Sequence, residues 1–391
     1  MSYFKYGGRS VYYEEYGEGS PVIFLHGNTA SSKMFEPLLP LYAGKCRCIL
    51  IDFLGNGRSD RVEKFPADLW YDEAMQTVAL ARHLGYGKVS LVGVSGGAWA
   101  AVNAALLSPE LFLCVAADSF DGRTLNDRFA ENLLAERTSA KADIQSRQFY
   151  EWCQGEDWEK VVDLDTASLL KCAEDKHALF CKPLPELKIP VLLMGTKQDQ
   201  MCRDDLEQEY KEMAEVIPEA EIRMFEHGGH PASASNAERA AESITGFIAA
   251  SERKYREKLI RHWFDMWTGA QEEQFDEIFS DAVVYTESWG PEYKGVEMVK
   301  HWFYEWKSRG KVLEWNIRQY FHKEDRTAVE WYFKDSMNDG RTEEFDGMSL
   351  IEWSRDNRIR SLKEFGCNLE HYNPYEDGGE PKFKDEKAKW F

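Results

Sequence analysis

Long apolar runs are missing from this sequence. None passes about ten residues before a charge or a glycine interrupts it, well short of the ~20 that a helix needs to cross a bilayer. A membrane-spanning segment and a membrane partner are therefore not expected. The N-terminus, Met1-Ser2-Tyr3-Phe4-Lys5-Tyr6-Gly7-Gly8, lacks the basic-then-apolar layout of a secretory signal, so the expected location is cytoplasmic. Positive charge is also scarce. Lys and Arg total 48 against 68 Asp and Glu, a net charge of −20, and no basic cluster exceeds a local pair. A nucleic-acid partner would need such a cluster to neutralise phosphates, so none is expected. The negative field gives no help in attracting phosphorylated substrates either. Eight cysteines are scattered without any Cys-x-x-Cys pair, which excludes a zinc knuckle or a dithiol redox motif and suits buried, reduced thiols. No internal repeat is present.

The 391 residues suffice for two or three domains, each with its own core. Over residues 1–250, short apolar segments alternate with amphipathic helical ones. Strands are expected at 11–16, 21–25, 46–53, 89–94, 113–117, 190–194 and 221–225. Several are continuously apolar, as in strands covered by helices on both faces. Residues 68–84 carry helical spacing that Gly85 stops. This alternation indicates an α/β domain with a mostly parallel sheet. Residues 121–182 break the rhythm. They are polar and helix-prone, with isolated large residues such as Phe149, Trp152 and Trp158, and read as a short helical cap over the C-terminal edge of the sheet.

Beyond Ser251 the composition changes: nine of the thirteen tryptophans lie there. Two helical stretches, 254–268 and 296–307, precede alternating strands at 312–321, 327–336, 343–353 and 359–365, joined by polar turns. Helices followed by an antiparallel meander make an α+β arrangement, hence a second domain over residues 251–375. Residues 376–391 read as a loosely ordered tail.

The sharpest chemical signal is Gly93-Val94-Ser95-Gly96-Gly97, a G-x-S-x-G between an apolar strand and a helix. A serine hydroxyl is a poor nucleophile unless it is exposed beside a base, and a tight elbow provides that exposure. Gly93 and Gly97 leave room for the close strand–helix crossing, and the N–H of Gly96 points at any developing oxyanion. The partners follow in the order acid, then histidine. Asp199 stands just after one expected strand and His230 just after another. The N–H of Asn28, in His26-Gly27-Asn28-Thr29, is the second oxyanion donor expected, while His26 reads as structural. Asp118 and His227 stand as alternatives for the acid and the base. His227-x-x-His230 lacks a third ligand, so no metal is expected, and a triad needs no cofactor.

Together with Tyr12–Gly17 and Asp52–Ser59, these residues resemble the α/β-hydrolase superfamily over about residues 1–250. The resemblance implies the mostly parallel α/β-hydrolase sheet with a short helical cap. It also implies catalysis by Ser95, His230 and Asp199 through an acyl-enzyme. Lactonases, esterases, C–C bond hydrolases and cofactor-free haloperoxidase-like proteins are closest in layout. Serine at 95 departs from haloalkane dehalogenases, which place an aspartate there. The expected substrate is a small or medium, largely apolar ester, lactone or related carbonyl compound.

Residues of about 253–370 look like the nuclear transport factor 2-like superfamily in its SnoaL-like branch. The likeness rests on Trp289–Gly295, the helix through Trp302 and Trp306, Val329–Phe333 and Phe345–Trp353. It implies an α+β cone around a pocket, in which enzymes use an acid tuned by apolar surroundings. Tyr285, Trp289, His301, Trp331, Asp346 and Glu364 are the second-site candidates expected to face that pocket. The roles expected for this domain are ligand binding or homodimerisation, a second isomerase-, dehydratase- or cyclase-type site, or non-catalytic interaction.

Overall fold

The computed structural model describes residues 2–384, and the chain divides after Tyr255 into two compact units, with the segment 355–357 belonging to the first. The first unit holds an eight-stranded sheet. Its strands are β1 (Ser2–Tyr6), β2 (Arg9–Tyr16), β3 (Ser20–Leu25), β4 (Cys46–Asp52), β5 (Val89–Val94), β6 (Phe112–Asp118), β7 (Val191–Thr196) and β8 (Ala220–Phe225). The order across the sheet is β1-β2-β4-β3-β5-β6-β7-β8. β1 and β2 join antiparallel, and the six strands from β4 to β8 are parallel. The sequence gives no hint of β1, because on this edge strand Phe4 alone is buried.

The inner parallel strands β3, β5, β6 and β7 are buried without alternation because both faces are covered, whereas the edge strand β8 alternates, with Glu221 and Arg223 exposed. Ile23, Leu25 and Leu91 share a core with the helices Leu69–Leu84 and Gly96–Leu107. Val22, Phe24 and Val92 share the opposite core with Ile244, Phe247 and Ile248 of the helix Ala237–Thr268. Gly85 ends Leu69–Leu84 with a φ of +63°, a left-handed turn that a side chain would strain. Between β6 and β7 lie the helices Phe129–Ala142, Ile144–Gln154 and Trp158–Asp175, which bury Ala140, Tyr150, Trp158 and Val162 against one another. All eight cysteines are free thiols, five of them buried.

In the second unit, β9 (Phe279–Thr286), β10 (Glu292–Lys294), β11 (Gly310–Lys323), β12 (Arg326–Met337), β13 (Glu344–Trp353) and β14 (Ile359–Cys367) form a second sheet, ordered β10-β9-β14-β13-β12-β11. The expected antiparallel meander is β11 to β14. β9 then adds to β14 in parallel, which the sequence does not announce because Ser280 and Asp281 interrupt its apolar pattern. Two register shifts in β11 bend the sheet. Its core is aromatic, centred on Trp263, whose ring meets Phe279 and Phe303 edge-on or tilted at 4.8 and 5.8 Å.

One boundary differs from expectation. The helix expected at 254–268 is the last part of the continuous helix Ala237–Thr268, so the division between the units falls inside a helix and not in a linker. The apolar spacing of Ile244, Phe247 and Ile248 carries the helix through Gly246. The tail expected at 376–391 lies partly outside the described residues. Among the described residues, no helix is long and apolar enough to cross a membrane.

Candidate active site

β5 ends directly in the elbow. Ser95 has φ +55° and ψ −122°, a sparsely populated conformation for a residue with a side chain. It is held from both sides: its N–H donates to the Asp118 carbonyl at 2.8 Å, and its carbonyl accepts from the Ala98 N–H at 2.9 Å. The flanking glycines are required by contact. A Cβ on Gly93 would lie 2.1 Å from the Gly97 carbonyl oxygen, and one on Gly97 would lie 2.3 Å from that of Leu25. The crossing helix Gly96–Leu107 can pack this close only because neither position has a side chain.

Asp199 follows β7 and His230 follows β8, and the imidazole Nδ1 meets Asp199 Oδ2 at 2.9 Å. The other carboxylate oxygen accepts the backbone N–H groups of Met201 at 2.9 Å and Cys202 at 3.2 Å. Burial works to raise the pKa of Asp199. The hydrogen bond and charge of His230 and the two backbone donors outweigh it, so the carboxyl sits below its ordinary value and stays ionised. Asp199, His230 and Cys202 bring three potential metal-ligating atoms within 4.8 Å of one another. Nδ1 is already engaged by the carboxylate, and burial holds the Cys202 thiol well above its ordinary pKa.

Asp118 and His227 are engaged elsewhere. Asp118 is fully buried and accepts from the Ser119 hydroxyl at 3.0 Å and the Ser233 N–H at 2.9 Å; burial raises its pKa. His227 meets the Gln198 side chain at 3.2 Å. His26 is buried and neutral: Nδ1 bonds the Gly27 carbonyl at 2.9 Å, Nε2 accepts the Phe53 N–H at 3.1 Å, and burial lowers its pKa.

The loop after β3 runs beside the nucleophile. A Cβ on Gly27 would lie 3.1 Å from that of Ser95 and 3.6 Å from its hydroxyl oxygen. Asn28 on this loop belongs to a buried network that the sequence does not reveal. Its side-chain oxygen accepts the Trp70 indole N–H at 3.0 Å, and its amide donates to Asp165 at 2.8 Å. Asp165 pairs with Arg137 at 3.2 Å, which also donates to Glu136 at 2.8 Å. Gly96 is enclosed by the same group, since a Cβ there would lie 2.0 Å from the Asn28 side-chain oxygen.

Ser95, His230, Asn28 and Arg137 all line one cavity of about 300 Å³. Its walls are mainly apolar, with Trp70, Trp99 and Phe120 from the sheet side and Phe129, Leu133 and Leu169 from the helices between β6 and β7.

The second unit contains a separate cavity of about 110 Å³. Trp289, Trp331 and Glu364 line it. Tyr285 stands behind the wall, fully buried, its hydroxyl donating to Glu364. His301 and Asp346 do not reach the cavity. His301 is exposed, on the far side of its helix from Val299, Trp302 and Phe303. Asp346 alternates with the inward Phe345 and forms a two-pronged pair with Arg318 at 2.6 and 2.9 Å. Glu287, Ser288, Asp335 and Glu343 are lining residues that sequence reasoning missed. Burial, reinforced by the neighbouring Glu287, pushes Glu364 up to about 8 against the opposing hydrogen bond from Tyr285.

Residues 22–243 match the alpha/beta hydrolase family and residues 260–362 match the SnoaL-like domain. The 2-(acetamidomethylene)succinate hydrolase of Mesorhizobium japonicum is 37% identical over 107 residues, which are 27% of this chain and only 37% of that protein. The AB hydrolase superfamily protein YisY of Bacillus subtilis is 26% identical over 265 residues, 61% of this chain and 95% of that one. A solved meta-cleavage product hydrolase from Pseudomonas fluorescens shares the fold, with a TM-score of 0.53 at 20% identity over 64% of this chain and 98% of that one. The chain belongs to the alpha/beta hydrolase family and carries a SnoaL-like domain after its hydrolase domain.

Proposed function

We propose that this protein is a serine hydrolase acting on a small or medium, largely apolar ester, lactone or related carbonyl compound. One observation carries the reading: Ser95 on its strained elbow and His230, bonded to Asp199 at 2.9 Å, open into the same apolar-walled cavity. The Nδ1–H of His230 faces an ionised carboxylate, which leaves Nε2 as the basic nitrogen. That nitrogen takes the Ser95 proton as the hydroxyl attacks the carbonyl carbon. Asp199 then stabilises the imidazolium without accepting its proton. The N–H groups of Asn28 and Gly96 receive the oxyanion, an effect of ~3–4 kcal/mol per donor in comparable sites. The imidazolium protonates the leaving group. Water, deprotonated by the same nitrogen, then releases the acid from Ser95.

Size and polarity of the cavity support the substrate class. At about 300 Å³ it is at the small end for ligand sites, and Trp70, Trp99, Phe120, Phe129, Leu133 and Leu169 give it an apolar stretch of wall beside polar groups such as Asp121, Glu136 and Arg137. Hydrolysis of a p-nitrophenyl ester series from acetate to decanoate, with Ser95→Ala as control, tests the reading. Turnover highest for short and medium acyl chains and absent in the variant is expected. Equal turnover by the variant would refute it.

A further inference from the structure

The turn that carries Asn28 is not held by its own sequence. Thr29, the next residue, has φ +59°, a left-handed conformation in which a β-branched side chain is strained. Within the turn, the Ala30 N–H reaches the Gly27 carbonyl at 3.2 Å. A strained conformation of this kind persists only where the surroundings over-determine it. Here they do so on both sides of Thr29, and both ties come from the helices between β6 and β7. Before Thr29, the Asn28 side-chain amide donates to Asp165 at 2.8 Å. After it, the Gln154 side-chain amide donates to the Ala30 carbonyl at 2.7 Å. Asp165 and Gln154 are both buried.

The tie to Asp165 is specified by polarity. The Trp70 indole can only donate, and it takes the Asn28 side-chain oxygen at 3.0 Å, which turns the Asn28 NH₂ towards Asp165. Asp165 accepts on both of its oxygens, since Arg137 donates to the other at 3.2 Å. The Asn28 amide is thus fixed in one orientation between a donor and an acceptor. Its backbone N–H, by contrast, has no acceptor among the described residues. The loop that carries this N–H passes close to the nucleophile: a Cβ on Gly27 would lie 3.6 Å from the Ser95 hydroxyl oxygen. A shift of ~1 Å in a group that meets the transition state can cost about 10²-fold in rate.

We propose that Asp165 is a positioning residue for catalysis: by holding the Asn28 side chain, it sets the Asn28 N–H where the oxyanion forms. The proposal rests on the serine-hydrolase reading given above. Asp165 stands behind the cavity wall that Asn28 and Arg137 line, and it acts on the reaction only through Asn28.

Steady-state hydrolysis of p-nitrophenyl butyrate by the full chain tests the proposal, with active enzyme counted by fluorophosphonate titration. In Asp165→Asn the single oxygen goes to the Arg137 guanidinium, the stronger partner, and the new NH₂ then opposes that of Asn28. A fall in kcat of about ten- to a hundredfold, with KM within about twofold, is expected. A trifluoromethyl ketone, which adds to Ser95 and leaves an oxyanion, should lose affinity by the same factor. The matching trifluoromethyl carbinol, which forms no oxyanion, should bind as before. Asn28→Ala keeps the backbone N–H and the Asp165–Arg137 pair, and it should lower kcat comparably. Adding Asp165→Asn to Asn28→Ala should cost no more than about a further twofold, whereas a role confined to folding would cost the same in both backgrounds. Should Asp165→Asn fail to fold, Asn28→Ala alone decides, through kcat and ketone affinity. Unchanged kcat in either folded single variant, equal losses for ketone and carbinol, or additive losses in the double variant would each overturn the proposal and leave the hydrolase reading standing. Absence of Ser95-dependent turnover in the unaltered chain would overturn both.

Discussion

Asp199→Asn changes one atom and should remove most of the activity. The side chain is held by three contacts: Oδ1 accepts two backbone N–H groups, from Met201 and Cys202, and Oδ2 accepts from His230 Nδ1. An asparagine must place its single oxygen towards the two backbone donors, because turning its NH₂ there would set donors against donors. The NH₂ then faces Nδ1 and forces that nitrogen to accept. The imidazole proton moves to Nε2, where it points at Ser95, and the base is in the wrong tautomer. An exchange of this kind lowers kcat by about 10⁴, equivalent to ~5.5 kcal/mol at the transition state. Stability should change little, since every hydrogen bond is replaced. The assay is kcat/KM for a p-nitrophenyl ester at pH 7.5, alongside thermal unfolding to verify the fold. A folded variant within tenfold of the unaltered protein would refute the assignment of Asp199 as the acid.

Three further outcomes follow from the geometry. Asp165→Ala removes the acceptor of the Asn28 amide and one of the two carboxylate partners of the buried Arg137, Glu136 remaining; a loss of about 1–3 kcal/mol in urea unfolding is expected, and an unchanged stability would contradict it. Gly93→Ala puts a methyl group 2.1 Å from the Gly97 carbonyl oxygen. It should cost about 1–3 kcal/mol or more, read as a lowered melting temperature, and an unchanged one would show that the crossing can relax. Glu364 binds its proton more tightly when folded, with a pKa of about 8 against an ordinary 4.5. Its stabilising contribution is therefore complete below about pH 4.5 and lost as pH rises through about 8. Glu364→Gln should flatten the decline in melting temperature between pH 5 and 9, and identical declines would contradict this.

The elements of the nucleophilic site are legible in sequence because each follows an apolar strand. Ser95, Asp199 and His230 stand just after β5, β7 and β8; β5 and β7 are buried along their length and leave continuous apolar runs, while the edge strand β8 shows itself by alternation, with Glu221 and Arg223 exposed between Ala220, Ile222 and Met224. The glycines around Ser95 are legible for the same local reason. The network around Asn28 is not, because Asp165 is 137 residues away along the chain and Arg137 a further 28 from Asp165 in the other direction. No local pattern marks a polar residue on a cap helix as the partner of a loop after β3. In the second unit, the outward direction of Asp346 was available from alternation: Ser349, Ile351 and Trp353 are buried on β13, so the even positions face away. His301 likewise lies off the stripe of Val299, Trp302 and Phe303. The strand β9 carries two polar residues within its pattern and gives no such signal.

The central claim is that Ser95 is an activated nucleophile. Treating the purified protein with a fluorophosphonate and mapping the adduct by peptide mass spectrometry tests it most directly. One adduct per chain is predicted, on Ser95, formed rapidly at pH 7.5 and abolished in Ser95→Ala. A folded protein that takes no label, or takes it equally in the variant, would contradict it.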